Sequence, residues 1–171
     1  GGLVRQLCGQ RQDLEVCWVV FCAADGTRAA EAEGSARAFA EAAAQLDIVL
    51  LSHHDAYLPW HGEDVKGEFE RLRARIEPDL ILTHRVDDEH QDHRLLGELT
   101  WNTWRDHSIL AYEVHKWEGD LGRPNVYVPL TADEARQKSV AVHEAFPSQH
   151  DRRWFDEETF LALLARYGVT P

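Results

Sequence analysis

Leu80-Ile81-Leu82-Thr83-His84-Arg85-Val86-Asp87-Asp88-Glu89-His90-Gln91-Asp92-His93 is the stretch on which the reading of this chain turns. Its apolar start reads as a strand, and the segment after it, Leu95 to Trp104, repeats apolar residues at helical spacing. A strand therefore hands a polar loop to a helix. From Thr83 to His93 that loop carries three imidazoles and four carboxylates. Ligands of open α/β sheets collect outside the carboxyl ends of the strands, so position and chemistry agree. His90 and His93 are three apart, a spacing that places them on one helix face. The positive end of a helix dipole disfavours imidazolium there, whereas neutral rings at this end are suited to metal.

Outward from this loop the chain alternates. Leu14 to Cys22 and Asp47 to Leu51 read as strands, separated by an alanine-rich helix from Ala29 to Leu46 with Ala36, Phe39, Ala40 and Ala43 on one stripe. A loop from Ser52 to Gly62, holding Pro59, precedes a helix over about Glu63 to Arg75 in which Val65, Phe69, Leu72 and Ile76 face inward. The third strand is Asp79 to Thr83, followed by a helix over about Glu89 to Asp106. Ile109 to Val114 and Val126 to Leu130 read as further strands, Thr131-x-x-Glu134 as a capping box, and Asp156 to Tyr167 as a last helix. Strands alternating with helices predict an α/β fold, a three-layer sandwich with a mostly parallel sheet. With no linker or repeat, a single domain over 1–171 is expected.

Composition narrows the function. A formal charge of -12 argues against a nucleic-acid partner, since such proteins present a basic face, and disfavours anionic membranes. The longest apolar run, Val16 to Ala24, falls far short of the roughly 20 residues of a membrane span. Cys8, Cys17 and Cys22 show no C-x-x-C spacing and read as reduced core thiols of a cytoplasmic protein. The sequence contains no methionine and opens on Gly1-Gly2, so its natural beginning is expected upstream.

Two readings of His90-x-Asp92-His93 stand side by side. In one, Asp88 and Gln91 form a cap pair and the histidines are solvated first-turn residues. In the other, the group holds a divalent metal through mixed nitrogen and oxygen ligands, with Asp92 a ligand or an acceptor that fixes an imidazole tautomer. His53, His54 and Asp55 follow the second strand and should emerge at the same sheet edge, as should Arg28-x-x-Glu31 after the first. Each also reads as ordinary loop polarity or a surface ion pair. Glu113, His115 and Lys116 leave a strand at Tyr112, where an exposed edge accounts for them equally well. The tryptophans read mainly as core, with Trp60 and Trp117 in loops where they could touch a substrate. No G-x-G-x-x-G, P-loop, G-x-S-x-G or H-E-x-x-H occurs.

Leu80-Ile81-Leu82-Thr83-His84 running into Asp88-x-His90-x-Asp92-His93 resembles the second motif of the LmbE-like, PIG-L-type N-acetylglucosaminyl de-N-acetylases. The similarity extends through Arg28-x-x-Glu31, the Asp55 loop, Trp101-Asn102-Thr103, Tyr112-Glu113, Gly119-Asp120-Leu121-Gly122, Pro124-Asn125-Val126, Ser148-Gln149 and Trp154-Phe155. Those later segments resemble a branch associated with bacterial polysaccharide and sugar metabolism.

The resemblance implies a Rossmann-like fold and a divalent metal, usually zinc, that activates water to cleave the acetamide of an amino sugar or its conjugate. It assigns His93 to the metal, His90 to the oxyanion, Asp92 to orienting the metal-site histidine, and Arg28 and Asp55 to substrate contact. The family's His-Pro-Asp-Asp-Glu motif, which supplies two more ligands and the general base, does not occur here. The resemblance thus implies a chain that starts just after that motif, N-terminally truncated and holding half of an active site. A non-catalytic carbohydrate-binding relative is the alternative, and a metallophosphoesterase a distant third.

Overall fold

The computed structural model describes residues 1–166; the end of the expected last helix, at Tyr167, lies outside the described residues. The chain is an α/β protein of parallel strand pairs joined by helices, and it divides into two compact units.

One unit comprises Gly1–His53 and the chain from Arg123 onward. Helix α1 (Gly2–Gln10) precedes strand β1 (Glu15–Val20), helix α2 (Gly26–Phe39) and strand β2 (Gln45–Leu50). The strands pair in parallel from Glu15↔Gln45 to Val20↔Leu50, so α2 is the crossover of a βαβ unit. Asp25 starts α2 by accepting the amides of Thr27 (2.8 Å) and Arg28 (3.2 Å) at Oδ1, satisfying donors the helix leaves unpaired. Of the expected stripe Ala36, Phe39 and Ala40 are buried, but the helix ends at Phe39, so Ala43 falls beyond it and Gln45 and Leu46, expected as helix, open β2.

Helices α5 (Ala132–Ala145) and α6 (Glu157–Arg166) complete the unit. Thr131 and Glu134 form the expected capping box, with each side chain taking the other's backbone amide. Ala135, Phe155 and Phe160 join the core, the two phenylalanines edge to face at 5.2 Å. The strand expected over Val126 to Leu130 does not form. Pro129 lacks an amide to donate to a ladder, and its carbonyl accepts instead from the Gln6 side chain at 2.9 Å. Leu130 is buried without any strand, which explains the apolar signal.

The other unit is His54–Gly122. A 3-10 turn (Leu58–His61) leads into helix α3 (Gly62–Arg75), strand β3 (Leu80–His84), helix α4 (Gln91–Thr103) and strand β4 (Ser108–Tyr112). β3 and β4 pair in parallel from Leu80↔Ser108 to His84↔Tyr112, a second βαβ unit with α4 as its crossover. Val65, Phe69 and Leu72 line the buried face of α3, and Phe69 packs against Trp104 at 5.9 Å. Burying each such side chain contributes roughly 1.5–3 kcal/mol.

The top of β3 is tied to α4 by polar contact as well. Thr83 and Thr100, both buried, share a hydroxyl hydrogen bond of 2.9 Å. Gly97 lets the helix come closer still, because a Cβ there would stand 2.7 Å from the His84 carbonyl oxygen. The functional loop is therefore suspended between a strand and a helix locked to each other.

Candidate metal and catalytic site

His84 ends β3, Asp88 lies in the loop, and His93 sits in the first turn of α4. One ligand atom from each lies within 4.8 Å of the others. The His84 and His93 rings stack at 3.9 Å, His90 tilts against His93 at 4.5 Å, and Tyr112 covers His84 from β4 at 4.9 Å. Three imidazoles separated by loop in the sequence thus meet above one parallel strand pair.

Asp88 organises the cluster. Its Oδ1 accepts the His90 amide at 2.8 Å and faces Lys116 Nζ at 3.1 Å, while Oδ2 faces His93 Nδ1 at 3.2 Å. Burial pushes the Asp88 carboxyl upward, but the His90 amide, Lys116 and His93 outweigh it and hold the group below its ordinary range. Lys116 is itself ion-paired with Asp120, whose Oδ2 accepts the Glu89 amide at 2.8 Å. Asp120 is held down at about 2: burial works against this, and Lys116 and the Glu89 amide prevail. Arg85 bonds Glu113 at 3.0 Å and the Asp120 carbonyl at 3.0 Å, fixing the same loop from beneath.

His84 and His93 are kept neutral. Burial, and then the neighbouring His93, lower His84 to about 3. Burial likewise lowers His93, with Asp88 offsetting part of the effect. Nδ1 of His84 and Nδ1 of His90 are buried without a hydrogen-bond partner. Buried polar nitrogens are rarely left so, and neutral imidazoles with uncommitted nitrogens are what a divalent ion or a reacting carbonyl requires. The donor set of two imidazoles and a carboxylate fits zinc and similar ions. Asp88 already receives three donors, so the nitrogen best placed to hold an ion is Nε2 of His93, opposite the one Asp88 takes.

The structure distributes the sequence candidates unevenly. His90 and His93 are in the cluster, with His90 the residue preceding α4 and its amide held by Asp88. The cap pair of Asp88 and Gln91 does not form; the Gln91 side chain donates to the Ala56 carbonyl at 3.1 Å. Asp92 is buried and accepts the amides of Ala56 (2.6 Å) and Leu58 (3.1 Å), while the carboxylate against His93 is Asp88. Asp55 is exposed immediately before Ala56, which is held at φ 68. Arg28 lies in the first turn of α2, in the other unit. Sequence reasoning gave no site role to His84, Asp88 or Asp120 and left Lys116 open as an exposed-edge residue. The signal was there for His84, the terminal residue of the strand, but nothing local marked Lys116 and Asp120 as partners of Asp88.

A parallel strand pair that brings two histidines and a buried carboxylate together at its carboxyl end makes a candidate metal site. The family model described as PIG-L, GlcNAc-PI de-N-acetylase, matches residues 1–104, and the chain belongs to that family of deacetylases. No curated protein matches the chain.

Proposed function

We propose that the protein is a metal-dependent de-N-acetylase that removes the acetyl group from an N-acetylated amino sugar or its conjugate, with zinc or another divalent ion as cofactor. The observation that carries this reading is the convergence of His84, Asp88, His90 and His93 at one strand-to-helix junction within the matched region.

His93 would hold the metal through Nε2, with the stacked His84 its neighbouring donor and Asp88 fixing the ring from Nδ1. A divalent ion bound there would supply a water acidified toward a pKa of about 7 and polarise the acetyl carbonyl. His90, beside His93, would donate to the oxygen on which negative charge develops when water adds to the carbonyl carbon. Asp92 holds the segment after Asp55, and Asp55 would contact the sugar. Collapse of the tetrahedral species breaks the C–N bond; acetate leaves and the amine takes a proton. The absence of C-x-x-C spacing among Cys8, Cys17 and Cys22 is the sequence basis for proposing a cytoplasmic setting. Among the described residues no helix is long and apolar enough to cross a membrane.

The test is acetate release from an N-acetylglucosamine conjugate by the metal-loaded full-length protein, this chain alone lacking the His-Pro-Asp-Asp-Glu motif. Release that stops with a chelator and with His93→Ala is the expected result. Sugar binding without release under any divalent metal would favour a non-catalytic carbohydrate-binding relative, and phosphate release from model esters would favour a phosphoesterase.

A further inference from the structure

We propose that Lys116 is a positioning residue for the metal centre: clamped between Asp88 and Asp120, it turns the Asp88 carboxylate so that His93 is fixed as the Nδ1–H tautomer with Nε2 free. The consequence for metal rests on the reading above, whereas the tautomer is a property of the chain alone.

Lys116 is only 9% exposed, and Asp88 and Asp120 are 3% and 9% exposed. A lysine this buried is retained only with charged partners, and Lys116 has one on each side. Its contact with Asp88 falls on Oδ1, the oxygen that also takes the His90 amide. Two donors on one oxygen fix the rotation of the carboxylate, and Oδ2 is left facing Nδ1 of His93 at 3.2 Å. A carboxylate only accepts, so that nitrogen must carry the proton. Asp120 in turn cannot drift, because the Glu89 amide binds its second oxygen at 2.8 Å. The loop after β4 thereby decides which nitrogen of a histidine on α4 is available. Carboxylates that orient metal-binding histidines in this way typically change metal affinity 10–100-fold when lost.

The competing reading makes Lys116 a staple between two loops and nothing more. Long-range proton–nitrogen spectra of the metal-free chain, with the His93 signals assigned from His93→Gln, separate the two. Wild type should show His93 as Nδ1–H. Lys116→Met should convert it to a mixture with the Nε2–H form and lower zinc affinity about 10–100-fold, and Lys116→Arg should restore most of both. Asp120→Asn, which keeps the lysine but removes one anchor, should give a partial shift and serves if Lys116→Met does not fold. An Nε2–H tautomer in wild type, or a lowered melting temperature in Lys116→Met with the His93 tautomer unchanged, would overturn the proposal. Wild type that binds no zinc while the tautomer shifts as described would support the role of Lys116 and overturn the metal reading instead.

Discussion

Gly97 in α4 lies so close under His84 that a Cβ at position 97 would stand 2.7 Å from the His84 carbonyl oxygen and 3.2 Å from the carbonyl of Arg85. These are backbone atoms, which cannot swing aside as a side chain would. The contact fixes the separation between the histidine that ends β3 and those at the start of α4.

Gly97→Ala should therefore reverse the usual sign of a helical glycine substitution. Alanine inside a helix ordinarily gains roughly 0.5–1 kcal/mol over glycine. Here the added methyl must push α4 from the strand end, and overpacking of that kind costs about 1–3 kcal/mol. Urea unfolding measures it, and a Gly97→Ala variant more stable than wild type would show that the helix does not rest on β3 as described.

The segment carrying Asp55 provides a second prediction. Ala56 sits at φ 68, in the left-handed region, while Asp92 holds its amide and Gln91 its carbonyl. Ala56→Gly should be neutral or stabilising by about 0.4–1 kcal/mol, because glycine adopts that conformation without strain. Asp92→Ala should be destabilising by roughly 1–3 kcal/mol for each amide it leaves unsatisfied. Thermal melts of both variants check the pair, and equal stability of Asp92→Ala and wild type would contradict the clamp.

Acid should weaken the metal-free chain well above the range in which carboxylates titrate. Burial, then His93, depress His84 from 6.5 to about 3, and burial lowers His93 from the same value. Below about pH 6.5 the unfolded chain thus takes up protons that the folded chain refuses, so stability falls as pH drops from there toward 3. Asp88 and Asp120, held below 3.8, add to the loss at still lower pH. The urea midpoint should decline between pH 7.5 and 5, and His84→Phe should remove about one proton from that dependence near pH 5. A flat profile over this interval would mean that these imidazoles are not buried as neutral rings.

Much of this was legible in the chain because apolar periodicity and caps act locally. Val65, Phe69 and Leu72 announced the inner face of α3, and Thr131 with Glu134 announced the start of α5. The loop between β3 and α4 was legible too, since three histidines and four carboxylates at a strand end have few structural reasons to be there. What stayed hidden depends on distant partners. Lys116 and Asp88 are far apart in sequence, and no spacing rule joins them; at an assumed strand edge a lysine looks solvated. Val126 to Leu130 misled in the opposite direction, because one buried leucine gave a strand-like signal that Pro129 cannot satisfy.

The account stands most directly on a comparison of His93→Ala with His90→Ala. His93 faces Asp88 through Nδ1 and offers Nε2, whereas His90 lies beside it with its own Nδ1 uncommitted. In the full-length protein, divalent metal content by elemental analysis should be measured together with acetate release from an N-acetylglucosamine conjugate. His93→Ala should lose metal and activity together, while His90→Ala should keep most of its metal and lose about 10²–10³ in turnover, the usual effect of removing one oxyanion donor. Equal metal loss in both variants would make His90 a ligand as well, and unchanged acetate release in both would contradict the assignment of this histidine cluster to catalysis.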